Sequence, residues 1–131
     1  MDILVPVDGS DCSLRALHRA LEMADRDGAT VHVVHFTDVE TGETEDLRET
    51  IDAVLADHGF DAAMETIDDI RLSDFKASDR VGRDILDLVA ERGFDHVVMG
   101  HHGTGLVGEA LLGSAAKTVV ADTTVPVTIV P

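Results

Sequence analysis

Two short segments of this chain carry residues suited to holding an anion. The first, Val5-Pro6-Val7-Asp8-Gly9-Ser10, is an apolar run that stops at a turn carboxylate and a helix-capping hydroxyl. The second runs from Gly100 through His101, His102 and Gly103 to Gly113-Ser114, with five glycines in the fourteen residues from Gly100 to Gly113. Glycine lets backbone N–H groups approach a phosphate closely. A helix beginning just after Gly113 would aim its free N–H groups and positive dipole end at the same place. The chemistry suggested is phosphate recognition by main chain, with few basic side chains taking part.

Three phosphate motifs can be laid on the second segment. Gly103 and Gly108 fit the P-loop's paired glycines, but Glu109 stands where its lysine is required, and a carboxylate repels phosphate. Gly103 to Gly108 match G-x-G-x-x-G, yet the match follows the wrong strand and no acidic residue closes a second strand about 20 residues on. The spacing G-x2-G-x9-G-[ST] fits without a gap through Gly100, Gly103, Gly113 and Ser114.

Single residues are less informative. Asp8 reads either as a ligand for ribose hydroxyls or a phosphate-bound metal, or as a turn carboxylate capping the next helix. Ser10 reads as an N-cap, since no histidine-plus-carboxylate arrangement can be assigned to it as a nucleophile. Cys12, the only cysteine, excludes a disulfide framework and a thiolate cage, and reads as an ordinary lone thiol. Of the seven histidines, His32 and His35 fall on opposite faces of a strand, and the neighbours His101 and His102 are expected to diverge in an extended loop. A dedicated zinc site is therefore not expected, because structural zinc takes four ligands. Mg²⁺ or Mn²⁺ arriving with a nucleotide suits the chain better.

The elements that must position these residues alternate. Strands are predicted at Ile3–Val7, Thr30–Phe36, Ala62–Ile67, Phe94–Met99 and Pro126–Val130, mostly short apolar runs. Helices are predicted through Leu14–Ala24 up to Gly28, Leu47–Leu55 up to Gly59, Asp79–Val89 up to Gly93, and Ser114–Ala121. Glu40–Glu45 reads as a polar loop, and Asp68–Ser78 as an extended loop near the ligand end. Five apolar strands alternating with four helices imply a doubly wound α/β domain over residues 1–131, with helices on both faces of a parallel sheet. Ligands of such sheets bind beyond the carboxyl ends of the strands, where strand order reverses.

Composition sets the outer bounds. The chain has 131 residues, 26 acidic against 10 basic, a formal charge of -16, and 44% hydrophobic residues. That suffices for a folded core. Without a basic patch, binding to nucleic acid or anionic lipid is disfavoured. No apolar run reaches the roughly 18 residues of a membrane span, and no signal peptide is visible, so the reading is cytoplasmic. Asp25, Asp27, Asp46, Glu49, Asp52, Asp57, Asp84, Asp87 and Glu91 are expected on outer helix faces. Their repulsion calls for screening by salt, which points to a high-salt cytoplasm such as a halophilic archaeon's.

The opening strand and turn (Ile3 to Ser10), the strand Asp95 to Gly100, the long glycine motif and the closing Val125 to Val130 together resemble the universal stress proteins, in their nucleotide-binding, UspA-like branch. The resemblance covers nearly the whole chain. It implies a Rossmann-like five-stranded sheet in the order 3-2-1-4-5, with ATP or another adenine nucleotide between the ends of strands 1 and 4. By the same resemblance, nucleotide contacts fall on Pro6, Val7, Asp8, Val33, Met99, Gly100, His102, Gly103, Gly113, Ser114 and Ala115, with Val33 to His35 bordering adenine. It also implies a homodimer paired through the last strand, Pro126 to Val130, whose open apolar edge otherwise invites aggregation. Ala115 and Ala116 depart from relatives that often carry a hydroxyl residue after the position of Ser114. A charge change on His102 would make nucleotide binding depend on pH. The reading is a nucleotide-binding homodimer of the stress response with no catalytic residues and at most slow hydrolysis. The alternative is a stress-related dimer acting through protein contacts without nucleotide. A nucleotide hydrolase or adenylating enzyme on the same fold comes third, since no general base, nucleophile or arginine clamp stands out.

Overall fold

β1 (Asp2–Pro6) is apolar on both faces, and Ile3, Leu4 and Val5 are fully buried. It carries no polar face because helices cover the sheet on both sides. α1 (Asp11–Asp27) starts at Ser10, whose Oγ accepts the Ser13 N–H at 3.2 Å, and ends at Gly28 with φ of 71°. That left-handed turn explains the glycine. Ala16, Leu17, Ala20, Leu21 and Ala24 recur at helical spacing and are all buried. There follow β2 (Thr30–Thr37), α2 (Gly42–Asp57), β3 (Glu65–Asp68), α3 (Ala77–Arg92), β4 (His96–Gly100), α4 (Ser114–Asp122) and β5 (Val127–Val130). The structure, a computed structural model, describes residues 1–37, 40–68, 77–102 and 112–131.

The strands form one parallel sheet in the order β3-β2-β1-β4-β5, as expected. Leu4 pairs with His32 on one side and Val97 on the other, so β1 is the centre from which the chain winds both ways. The order reverses between β1 and β4, and in such sheets the crevice for a ligand lies beyond the carboxyl ends of those strands. On one face Ile3, Val5, Leu17, Leu21, Val33, Ile51 and Leu55 share a core with α1 and α2. On the other, Leu4, Val34, Ile85, Leu88, Val97, Met99 and Val119 share one with α3 and α4. Each such side chain contributes about 1.5–3 kcal/mol by leaving water. α3 and α4 cross closely at Gly82, where a Cβ would come 2.7 Å from the Thr118 Cβ.

Several boundaries differ from expectation, each for a local reason. The expected polar loop Glu40–Glu45 is partly helix, because α2 starts at Gly42 with Glu43 and Glu45 in its first turn. Carboxylates there favour a helix N-terminus, and periodicity misses a turn that has no apolar residue before Leu47. β3 starts at Glu65, not Ala62. The main chain of Met64 is held instead by α2, its N–H by Asp52 Oδ1 at 3.0 Å and its carbonyl by Arg48 at 2.9 Å. The expected loop Asp68–Ser78 gives up Asp68 to β3 and residues 77–78 to α3, while 69–76 lie outside the described residues. Asp84, expected on an outer face, is buried, and Asp52 and Asp87 are half-buried.

Candidate functional site

At the end of β1, Pro6 and Val7 are buried and Asp8 is exposed. The Val7 N–H donates to Val34 O at 2.8 Å, and the Val7 carbonyl accepts from His35 Nδ1 at 2.7 Å. A carbonyl can only accept, so His35 carries its proton on Nδ1. Asp8 Oδ1 accepts from the Ser10 N–H at 2.9 Å and the Ser10 hydroxyl at 2.6 Å, across a turn that Gly9 makes with φ of 88°. Asp8 is thus the turn carboxylate that steadies the start of α1, and it stands at the mouth of the crevice with solvent access. Ser10 is the N-cap, as its sequence context indicates.

The end of β4 comes against the start of α1. A Cβ on Gly100 would lie 2.6 Å from Cys12 Sγ and 3.0 Å from both Cys12 C and Ser13 N. The His101 N–H continues the sheet to Val130 O at 2.9 Å. The Gly113 N–H donates to His101 O at 2.6 Å. A Cβ on Gly113 would stand 2.9 Å from His102 Cα. Gly113 has φ of -63° and is the N-cap of α4, with no side chain capping the helix. Gly100 and Gly113 are therefore glycines for want of space, since neither has positive φ. The first-turn N–H groups of α4, beginning with half-buried Ser114 and Ala115, are oriented as donors at the helix start.

The structure brings Pro6, Val7, Asp8, Gly100, His102, Gly113, Ser114 and Ala115 to these adjoining ends. The Gly113 N–H is bound to His101 O and joins strand to helix. Val33 lies in register with Val5 and Met99 with Ile129, and both side chains are buried in the two cores. Contact with a ligand from either is left to the main chain. Gly103 falls outside the described residues.

Sequence reasoning missed Cys12 and Ser13 as neighbours of this site, and that Cys12 meets the two histidines. Cys12 Sγ donates to His102 O at 2.9 Å and lies 3.8 Å from His102 Nδ1. The histidine rings, expected to diverge, have centroids 4.1 Å apart and tilt by 58°. The turn after β4 defeats the extended-loop assumption, because the pull of Gly113 on His101 O bends the chain there. Cys12 Sγ and one ring nitrogen from each histidine lie within 4.8 Å of one another. His101 Nδ1 is buried with no hydrogen-bond partner among the described residues, which costs about 1–3 kcal/mol. A glycine facing the first turn of α1 was the available signal: only a small residue fits where a helix start meets a strand end.

The resolved pKa shifts lie at the opposite, amino-terminal ends of strands. Hydrogen bonds from Arg92 at 2.7 and 3.0 Å, opposed by some burial, hold the Glu65 carboxyl below its ordinary range, and Arg92 is raised in return. Burial lowers His96, which lies 2.8 Å from Thr128 Oγ1. α1 and β5 border an open groove of about 420 Å³ lined by Arg15, His18, Ile129 and Pro131 among others, beside the end of β4 where the His101 N–H meets Val130 O. Among the described residues no helix is long and apolar enough to cross a membrane.

A doubly wound sheet with a glycine-built junction at its switch point belongs to the Rossmann-like α/β class. The model of the universal stress protein family matches residues 1–131, and the chain belongs to that family. No curated protein matches it in sequence. Among solved structures it is similar to the universal stress protein UspA from Lactobacillus plantarum, at 22% identity and a TM-score of 0.69, covering 100% of this chain and 97% of that one. It is also similar to the universal stress protein from Archaeoglobus fulgidus in complex with dAMP, at 24% identity and a TM-score of 0.70, covering 100% and 98%. A universal stress protein in complex with cAMP shares 23% identity and a TM-score of 0.75, covering 99% and 95%.

Proposed function

We propose that this protein binds an adenine nucleotide, ATP or a monophosphate relative, at the joined ends of β1, β4 and α4, as a homodimeric module of the stress response in a cytoplasm of high salt. The observation that carries this reading is the start of α4, which no described side chain caps and which Gly113 ties to His101 at the end of β4. Similar folds in complex with dAMP and cAMP support the adenine class. Ser114 and Ala115 would offer main-chain N–H groups and the Ser114 hydroxyl, while Asp8 would face ribose. Mg²⁺ or Mn²⁺ would enter with the phosphates, and of the junction's described side chains only the Asp8 carboxylate suits so hard a cation.

The test is calorimetric titration of ATP, AMP and cAMP, with and without Mg²⁺, into protein kept in molar KCl. Ser114→Asp places a carboxylate where the phosphate would sit, and at least a tenfold weaker Kd is expected. Unchanged affinity would remove α4 from the site. No binding by the unaltered protein, and none released from it in mass spectrometry, would favour the reading as a dimer acting through protein contacts. One observation favours that second reading: the junction's described side chains include no lysine or arginine to hold a triphosphate.

A further inference from the structure

We propose that Cys12, His101 and His102 form a binding site for a single transition-metal ion of borderline softness, Zn²⁺ being the form to test, held by protein side chains and independent of nucleotide. Three observations converge on these residues. Cys12 Sγ and one nitrogen from each ring lie within 4.8 Å of one another. The Sγ to His102 Nδ1 separation is 3.8 Å, close to the edge of roughly 3.6 Å spanned by Zn–S and Zn–N bonds of about 2.3 and 2.0–2.1 Å in a tetrahedron. His101 Nδ1 is buried without a hydrogen-bond partner among the described residues, whereas buried polar atoms are as a rule hydrogen-bonded.

The surroundings fit a metal better than a packing accident. The three donors come from two rigid elements, the first turn of α1 and the turn after β4. Cys12 is buried and both histidines are half-buried, so a bound ion would be shielded from bulk water. Gly100 leaves the space beside Sγ that any other side chain would fill. The thiol now donates to His102 O at 2.9 Å, which holds sulfur beside the rings. On binding, the S–H bond breaks, its proton passes to solvent, and the sulfur's electron pair forms the metal bond. Both rings bind as neutral imidazoles and release no proton. One sulfur and two nitrogens select Zn²⁺ or Cu⁺ over Mg²⁺. Three protein ligands leave a fourth position open, unlike a closed structural zinc site.

The experiment titrates chelator-treated full-length protein with Zn²⁺ in molar KCl, read by calorimetry, and with Co²⁺, read by visible absorption. One equivalent should bind, and Co²⁺ should give a thiolate charge-transfer band. Cys12→Ser should abolish that band, and His101→Ala and His102→Ala should each weaken the Zn²⁺ Kd at least tenfold. His18→Ala serves as a control that should change nothing, because the exposed His18–His58 pair is the other close histidine pair among the described residues. Circular dichroism of each chelated variant checks that it folds. A stoichiometry and affinity unmoved by Cys12→Ser and His101→Ala would overturn the proposal. So would loss of binding only in His18→Ala. Nucleotide titration of Ser114→Asp is a separate readout, so failure of one site leaves the other testable.

Discussion

A single methyl group on Gly100 tests how the junction is built. In Gly100→Ala the new carbon would stand 2.6 Å from Cys12 Sγ, 3.0 Å from Cys12 C and 3.0 Å from Ser13 N. Two of these neighbours are main-chain atoms of α1, whose first turn is anchored by the Ser10 cap. The third is a short, fully buried side chain tied to His102 O. None can swing aside, so β4 must shift against α1, and overpacking of this kind costs about 1–3 kcal/mol. For a domain of this length that is roughly 4 °C of Tm per kcal/mol. The chain has no Trp or Tyr, so urea unfolding is best followed by far-ultraviolet circular dichroism in molar KCl. Cys12→Ala in the same background removes the tightest contact and leaves those at 3.0 Å. The double-mutant cycle should therefore return a favourable coupling of about 1 kcal/mol. A Gly100→Ala variant within about 0.5 kcal/mol of the unaltered protein, or strict additivity with Cys12→Ala, would refute this account of the packing.

Three further outcomes are expected. With a formal charge of -16, Tm should climb with KCl as the Debye length shrinks to about 3 Å at 1 M, and a protein most stable in dilute buffer would contradict the halophilic assignment. Acid should destabilise in two windows. His96 and Glu65 both have folded pKa values below their ordinary 6.5 and 4.5, so the stability each contributes is present above those values and is lost as pH falls through the folded ones. The Glu65–Arg92 step should be under about 1 kcal/mol because the pair is half-exposed, and Arg92→Met should flatten it in a Tm series against pH. At the sheet edge, Pro126 O and Val130 O accept from β4, so alternation turns the Ile129 N–H outward. For the proposed homodimer paired through β5, Ile129→Pro should yield monomers in light scattering where Ile129→Ala still dimerises; a variant that stays dimeric would remove β5 from that interface.

Much of this architecture was legible because its signals are local. Gly28, Gly59 and Gly93 close helices in the left-handed region, Ser10 caps α1, and apolar runs mark strands buried on both faces. Strand order followed from the family resemblance. The missed boundaries share a cause: the first turn of α2, Gly42 to Asp46, has no apolar residue and is favoured by the helix dipole, and the start of β3 at Glu65 rather than Ala62 is set by pairing with β2. The site was legible as a spacing of glycines, but not what each glycine does. That Gly113 spends its N–H on His101 depends on a contact twelve positions back, and that Gly100 makes way for Cys12 on one between residues 88 positions apart. No periodicity carries such information.

The central place of β1 also orders the assembly of the molecule in time. Asp2 meets Thr30 after one helix and a turn, whereas Ile3 meets His96 only when most of the chain has been gathered. Closing the longer loop sacrifices more chain entropy, so the β1–α1–β2 unit can form early while β4 docks late. The crevice exists only once that late docking is complete, since β1 and α1 supply one wall and β4 and α4 the other. A ligand bound there has no partial site to occupy in a half-folded chain. Its binding free energy therefore opposes separation of the two halves, and slows the first step of unfolding more than it strengthens either half alone.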